Sequence, residues 1–535
     1  MTHGVILPIL LPLLTAMLLV LQQETGRAGG GRQRRRQASV VAMLLFVANA
    51  VWLVARAAAA PAPEVYRVGA LPGPFGIVLV LDRLSALMVL LTGLVALGSL
   101  LYGIAQGSDR RAHYFHVLFQ LQVAGLAGAF LTGDLFNLFV FFEVLLIASY
   151  CLLVYGGTVP RVRAGLHYVV LNLVGSSLFL IAVGTLYGVT GTLNMAELAV
   201  RIGALGPADA GLARAAALLL LVVFALKAAV VPLHFWLPGT YAAANAAVAA
   251  LFAIMSKVGV YAIVRVYTLV FGHDAGVAAG VAAPWLLPAA LVTLALGALG
   301  ALGSRRLRPM QGYLLVMSVG TMLAPIALFD APALGAALYY LPHSTLTSAA
   351  MFLVADLVAR QRGGTDDTLV RGPAVAQPAA LGLLFFVGAV GLAGLPPLAG
   401  FVGKALILAA APGDARGWWL WGVTLGGSFV ALVALSRAGS TLFWNTFRDR
   451  DDDPFERDPG APAPDGTGGR SLAPAAGLLA LVVALTVFAG PISAYTGAAA
   501  AELLAPRPYL DAVLDGTPPT AAPAAPGAGG TGGAP

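Results

Sequence analysis

Six ionisable side chains stand where an apolar chain tolerates them least. Glu143 sits at the middle of Asp134-Leu135-Phe136-Asn137-Leu138-Phe139-Val140-Phe141-Phe142-Glu143-Val144-Leu145-Leu146, and no other acid lies at the centre of an apolar run. Lys227 lies in Phe224-Ala225-Leu226-Lys227-Ala228-Ala229-Val230-Val231-Pro232, and Lys257 in Ile254-Met255-Ser256-Lys257-Val258-Gly259. Lys404 closes Gly400-Phe401-Val402-Gly403-Lys404. His234 follows Lys227 by seven residues, two turns along a helix and on a similar face. His343 opens a run as Leu341-Pro342-His343-Ser344-Thr345. An unpaired charge in hydrocarbon costs at least ~2.5 kcal/mol, so a site function is the default reading at such depth.

The lysines carry a second signal. Of 31 basic residues, 28 are Arg and three are Lys. A GC-rich genome would account for the arginine excess, but not for three lysines surviving in the costliest places. Arginine does not lose its proton in a protein, whereas a buried lysine can. These three positions therefore need a cation that titrates. Burial disfavours an ammonium and a nearby carboxylate favours it. Moving Glu143 toward or away from Lys227 would capture or expel a proton, and Coulomb coupling would pass the change to Lys257 and Lys404. Water and the two histidines would bridge the gaps, giving a lateral proton path with two half-channels built from coupled titrations. The plainer readings are a structural ion pair for Glu143 and a snorkelling Lys404 near a span end. For His343 the plainer reading is a hydrogen-bonded core residue. Asp82, Asp134 and Asp356 lie near span ends and read as caps or anchors.

Such groups need an apolar scaffold, and the composition supplies it. The 535 residues are 59% hydrophobic and 10% charged, with a mean hydropathy of +0.87; soluble domains carry about 25% charge. This excludes a soluble enzyme, a disordered chain and a nucleic-acid binder. Segmentation at charges and Pro/Gly clusters predicts an all-α integral membrane protein of about fourteen spans, each near the ~20 residues that cross a bilayer. They are 5–22, 39–57, 84–105, 113–131, 134–155, 165–189, 212–236, 241–270, 284–303, 309–330, 334–358, 379–411, 418–437 and 472–495. The first is not a signal peptide, because its arginines follow the apolar run. Odd-to-even connections hold 19 basic residues and the opposite side 6, which puts both termini outside the cytoplasm and favours an even span count. The single cysteine, Cys151, excludes disulfides, iron–sulfur ligation and Cys-type zinc sites, and is read as a small packing residue. No cofactor or metal site is expected.

Two spans are punctuated. The run 379–411 contains Gly394-Leu395-Pro396-Pro397-Leu398-Ala399-Gly400, and the seventh span carries Pro232. Interrupted spans in matching positions of two halves point to a transport site. Spans seven and twelve are five apart, so spans 4–8 and 9–13 read as two five-helix repeats, inverted because five is odd. The expected organisation is a three-helix region at 1–110, repeat one at 111–270 and repeat two at 271–445. A disordered loop at 446–471, a last helix at 472–496 and a low-complexity tail at 497–535 complete it.

At these residues the chain resembles the antiporter-like proteins shared by multisubunit cation/proton antiporters and respiratory complex I. Within them it is most similar to the D-type subunits of Mrp/Pha-type multisubunit Na+/H+ antiporters. The resemblance covers roughly residues 80–450 and rests on DLFNLFVFFEVLLIASYCLLVYGG from Asp134, KAAVVPLHFWLP from Lys227, VAALFAIMSKVGVYAIVR from Val248 and GLPPLAGFVGK from Gly394. It implies fourteen helices, inverted repeats and discontinuous helices seven and twelve. It also implies proton-path roles for Glu143, Lys227, Lys257 and Lys404. The chain departs from the family in two places. Thr347-Ser348 stand where a Lys often follows the His of helix eleven, so the central link leans on His343 and water. Helix eight opens on Ala242-Ala243-Ala244-Asn245 rather than a Pro-rich turn.

The function expected is a proton-translocating subunit of a monovalent cation/proton antiporter in the prokaryotic inner membrane. It is a transporter part rather than an enzyme; its partners are the other subunits, protons, Na+, K+ or Li+, and the lipid bilayer. The alternative is a proton-pumping membrane subunit of an NADH-quinone oxidoreductase or a membrane-bound hydrogenase. A solitary solute carrier fits less well, because the charges are spread over four spans rather than one pocket. No carboxylate or carbonyl cluster of Na+-site character stands out, which leaves the cation to another subunit.

Overall fold

The computed structural model describes residues 3–25, 30–71, 76–111, 114–447 and 467–514. The chain is helical nearly throughout, because an apolar backbone removed from water must satisfy its own hydrogen bonds. Helices α1 (Leu7–Thr25), α2 (Gly30–Ala59) and α3 (Arg83–Ala105) form the N-terminal group, and a short α4 (Ser108–Arg111) follows. Next come α5 (Phe115–Leu131), α6 (Leu135–Val154), α7 (Val159–Thr190), α8 (Met195–Gly203), α9 (Ala210–Ala228), α10 (Trp236–Ala243), α11 (Ala246–Phe252) and α12 (Met255–Leu269). The second half contains α13 (Ala283–Gly303), α14 (Leu307–Ile326), α15 (Ala331–Gln361), α16 (Pro378–Ala393), α17 (Ala399–Ala409) and α18 (Ala415–Phe443). After the loop stand α19 (Gly469–Val487), α20 (Ala489–Leu504) and α21 (Arg507–Leu514). Among the described residues ten helical segments are long and apolar enough to cross a membrane. The helices at Leu7–Gln22, Phe115–Leu131, Pro378–Ala393 and Ala399–Ala409 are apolar but shorter.

Local chemistry sets the ends. Asp82, Asp134, Asn194, Asn245 and Asp414 cap α3, α6, α8, α11 and α18, each side chain accepting from a first-turn N–H. The two expected breaks are present. After α9 the backbone turns left-handed at Ala229, with φ of 60°, and after α16 at Gly394, with φ of 78°. The Val231–Pro232 and Pro396–Pro397 peptides are cis.

The apolar windows of α15 and of the α11–α12 pair are buried along their whole length, whereas those of α2, α18 and α19 are one-third buried. The former are the central pillars; the latter present apolar faces outward, as membrane helices do. The sheet content is small. Strand β1 (Glu64–Arg67) pairs antiparallel with β2 (Val78–Leu81), Glu64 opposite Leu81, and β3 (Gly372–Pro373) pairs parallel with β4 (Thr446–Phe447).

Several boundaries differ from the sequence reading. The seventh span does not stop at 236: its second half is α10, which carries Pro238 in its first turn, where a missing N–H costs nothing. The eighth starts at Ala246 and is interrupted at Ala253–Ile254. Cys151 is exposed on the outward face of α6 and does not pack in the core. Residues 497–514 are not tail but the end of α20 and all of α21, because Leu503, Tyr509 and Val513 are buried against the body. Residues 446–447 form β4 and Gly469 opens α19, so both edges of the expected 446–471 loop are ordered. The remainder of that loop, 448–466, and the stretch 515–535 lie outside the described residues.

Candidate functional site

Glu143 projects from the middle of α6 and is half-buried. Its carboxylate accepts a hydrogen bond from Ser176 Oγ on α7. One turn earlier on α7, the fully buried Asn172 accepts from Lys227 Nζ on α9 through Oδ1, at 3.1 Å. Residues four apart share a helix face, so one face of α7 holds the acid with one residue and the base with the next. Glu143 lies within electrostatic reach of Lys227. The ammonium also lies 5.9 Å from the centre of the Phe142 ring, close enough for a cation–π attraction.

Beside Lys227 is a cavity of about 20 Å³ lined by Phe142, Tyr168, Asn172, Trp236 and Met255, which is room for one water. Tyr168 and Trp236 stack across it with centroids 5.2 Å apart. The Trp236 indole donates to Leu226 O at 3.1 Å and ties α10 to the end of α9. His234 stands inside the break, not two turns along a continuous helix, so helical spacing does not put it on the face of Lys227. It is half-buried and its Nδ1 has no partner.

Lys257 is completely buried on α12, with Nζ 3.5 Å from Ser256 Oγ. Helix α12 approaches α9 at Gly259, where a Cβ would lie 2.4 Å from Ala228 N and 2.7 Å from Phe224 O. That close approach sets Lys227 and Lys257 on neighbouring helices.

His343 is completely buried in α15 and its Nε2 has no partner; Nδ1 is 3.4 Å from Thr347 Oγ1. Its ring fits against the second break, where a Cβ on Gly400 would fall 2.7 Å from Nε2. Lys404 on α17 is buried and acts electrostatically on His343. It does not snorkel: Nζ donates to Leu392 O at 3.2 Å, Ala393 O at 2.9 Å and Ser428 Oγ at 2.8 Å.

Glu143, Lys227 and Lys404 are thus solvated by neutral dipoles, while Lys257 comes no nearer than 3.5 Å to Ser256 Oγ. Among the described residues the ion pairs are made by others and lie away from this line. Asp82 pairs with the buried Arg265 at 2.5 Å, and Asp356 joins Arg308, Arg360 and the Tyr102 hydroxyl. Asp134 caps α6 through Asn137 N at 2.8 Å. Sequence reasoning missed Asn172, Ser176 and Ser428. The first two gave a faint signal, polar residues one turn apart in an apolar run; Ser428 gave none.

An acid and three lysines thus lie in separate apolar helices of a membrane protein, two of them at helix breaks. Residues 132–431 match the family model described as NADH:quinone oxidoreductase/Mrp antiporter, TM. The chain belongs to this family. It is 40% identical, over 96% of its length and 97% of the relative's, to the D subunit of a probable K(+)/H(+) antiporter of Rhizobium meliloti. It is 37% identical, over 96% and 100%, to the D subunit of the Na(+)/H(+) antiporter of Alkalihalophilus pseudofirmus. The fold is similar to a chain in the structure of the Mrp complex from Dietzia sp. DQ12-45-1b, with a TM-score of 0.82 and 30% identity over 96% of this chain and 100% of that one.

Proposed function

We propose that this chain is the proton-translocating, D-type component of a multisubunit monovalent cation/proton antiporter, with protons moving along Glu143, Lys227, Lys257, His343 and Lys404. The observation that carries the reading is that, among the described residues, none of the four charged groups is locked in an ion pair. A charge locked to a counter-ion is structural, whereas one held by a serine, an asparagine or backbone carbonyls can change protonation without leaving a partner stranded. Ser176 and Asn172 let Glu143 and Lys227 sense each other without joining. A water in the cavity beside Lys227 and the imidazoles of His234 and His343 would serve the remaining steps.

The interactions between elements support fourteen crossings, counting α16–α17 as one and adding α1, α5 and α14 to the long apolar helices. With both termini outside, the ion pairs among the described residues join groups on one side. Arg36–Asp109 and Arg308–Asp356 fall inside; Asp82–Arg265 and Arg83–Glu502 fall outside. Inverted repeats are supported by two recurrences. Val230 N donates to Ala225 O and Leu395 N to Val390 O, each five residues back across a break. The isolated bridge Asp134↔Asn194 recurs as Arg306↔Thr368, the first outside and the second inside in this topology.

The partners are the other antiporter subunits, with Na+, K+ or Li+ as the exchanged ion and the inner membrane of a prokaryote as the setting. The chain is a transporter part and performs no redox chemistry. A proton-pumping role in a quinone reductase or hydrogenase would use the same path; the 40% and 37% identity to antiporter D subunits favours the antiporter. The test is dissipation of ΔpH in everted vesicles holding the whole complex. Exchange that appears on adding Na+ or K+ supports the reading, and proton movement driven only by NADH or another reductant overturns it.

A further inference from the structure

The Pro396-Pro397 pair does more than break a helix. In a continuous helix the carbonyls of Leu392 and Ala393 would accept from the N–H groups of residues 396 and 397. Both are prolines and have no N–H. The pair therefore strips two consecutive carbonyls of their partners at the C-terminal end of α16, where the helix dipole is negative. Lys404 Nζ binds both, at 3.2 and 2.9 Å, and Ser428 Oγ closes the third side at 2.8 Å. A fourth group faces the same break: the completely buried imidazole of His343, which lies against Gly391 and Gly400.

Two carbonyls without helical donors at a half-helix C-terminus and a hydroxyl are the oxygen donors a monovalent cation takes, since unwound carbonyls and half-helix C-termini hold Na+ in discontinuous helices. They contain no carboxylate, so the site suits an ion of charge one. At the first break Pro232 leaves the Ala228 carbonyl without its helical donor and Val231 N turns to Thr293 Oγ1, so only the second break owes two bared carbonyls to a proline pair. We infer that the oxygens of Leu392, Ala393 and Ser428 form a monovalent-cation site in which the ammonium of Lys404 is a tethered competitor for Na+ or K+.

The exchange balances. Lys404 gives up one proton and becomes a neutral amine, one cation enters the shell, and the charge of the site stays at +1. The titratable group of α15 that faces Lys404 is His343, and Tyr340 of the same helix packs against the neighbouring Gly403. Helix α16 has no ionisable residue, α18 meets Lys404 with Ser428, and α19 carries only Arg470 in its first turn. Nothing near would compensate a second positive charge, so proton and cation exclude each other. This deepens the antiporter reading and rests on it.

Equilibrium binding of 22Na+ and 86Rb+ to the purified, assembled complex tests the site. Lys404→Ala should bind one more ion per complex than wild type at neutral pH. Wild type should gain that ion only as pH is raised, releasing one proton for it. Adding Ser428→Ala to Lys404→Ala should weaken the extra site at least tenfold, and Lys404→Arg should never show it. Lys404→Met replaces Lys404→Ala if the alanine variant does not assemble, with the same expectation. Equal ion counts for wild type and the lysine variants at every pH would overturn the inference, as would an extra ion indifferent to Ser428. Loss of this site with ΔpH dissipation intact refutes the site alone; binding without cation-dependent ΔpH dissipation refutes the antiporter reading instead.

Discussion

Lysine and arginine carry the same charge, but one of them can be neutral inside a protein, and the site uses only that one. Lys227→Arg and Lys404→Arg should each assemble and each lose most cation-dependent ΔpH dissipation. Transport near wild type by the double variant would mean that these residues merely neutralise a fixed charge. The dipoles around them should matter by degree. Removing Asn172 Oδ1 with Asn172→Leu, or the Ser176 hydroxyl with Ser176→Ala, takes one hydrogen bond from a charged group, worth about 1.5–3 kcal/mol. Exchange should slow by roughly ten- to a hundredfold with the amount of assembled complex unchanged, and an unaltered rate in both would show that α7 is only packing. Glu143 and the lysines were legible in the sequence because an apolar background gives a charge high contrast. Asn172, Ser176 and Ser428 were not, since neutral polar residues are common in spans and gain meaning from the helix they face. His234 shows the converse: its spacing from Lys227 was visible, but the break between them cancels the periodicity that spacing relied on.

At the scale of elements, two glycines set the geometry. Gly394 lies at φ of 78°, and a Cβ there would fall 2.6 Å from Lys404 Cδ. Gly394→Ala should therefore displace the ammonium from the carbonyls of α16 and reduce transport strongly, while Gly413→Ala, where a Cβ meets nothing within 4 Å, should be silent. Gly259→Ala forces backbone against backbone between α12 and α9; overpacking of this kind costs about 1–3 kcal/mol. The purified complex should melt earlier and exchange more slowly, and an unchanged melting point would contradict the close approach of the two helices. The breaks themselves were legible from Pro232, Pro396 and Pro397, because a proline removes a donor wherever it stands. The extent of α10 and the fold of α21 were not, since a proline in a first turn and a helix held by Tyr509 against Arg265 depend on tertiary contact.

For the whole molecule, the half-buried position of Glu143 is the informative one. It places the acid end of the proposed path at the flank of α6, where Phe136, Val140 and Ile147 are exposed. A neighbouring subunit against that flank would complete the path. Expressed alone, the chain should insert in the membrane but give neither cation-dependent proton flux nor salt tolerance to a sensitive host; co-expression with its partner subunits should restore both. Robust Na+- or K+-dependent exchange by the single chain in liposomes would restore the solitary carrier as the better account.

The central claim is that Glu143 carries a switchable charge. Glu143→Gln keeps the shape and the contact with Ser176 but removes that charge. The measurement is Na+- or K+-dependent ΔpH dissipation in everted vesicles, with the complex quantified in the same membranes. The account predicts normal assembly and almost no exchange. Near-normal exchange by the assembled Glu143→Gln complex would contradict it.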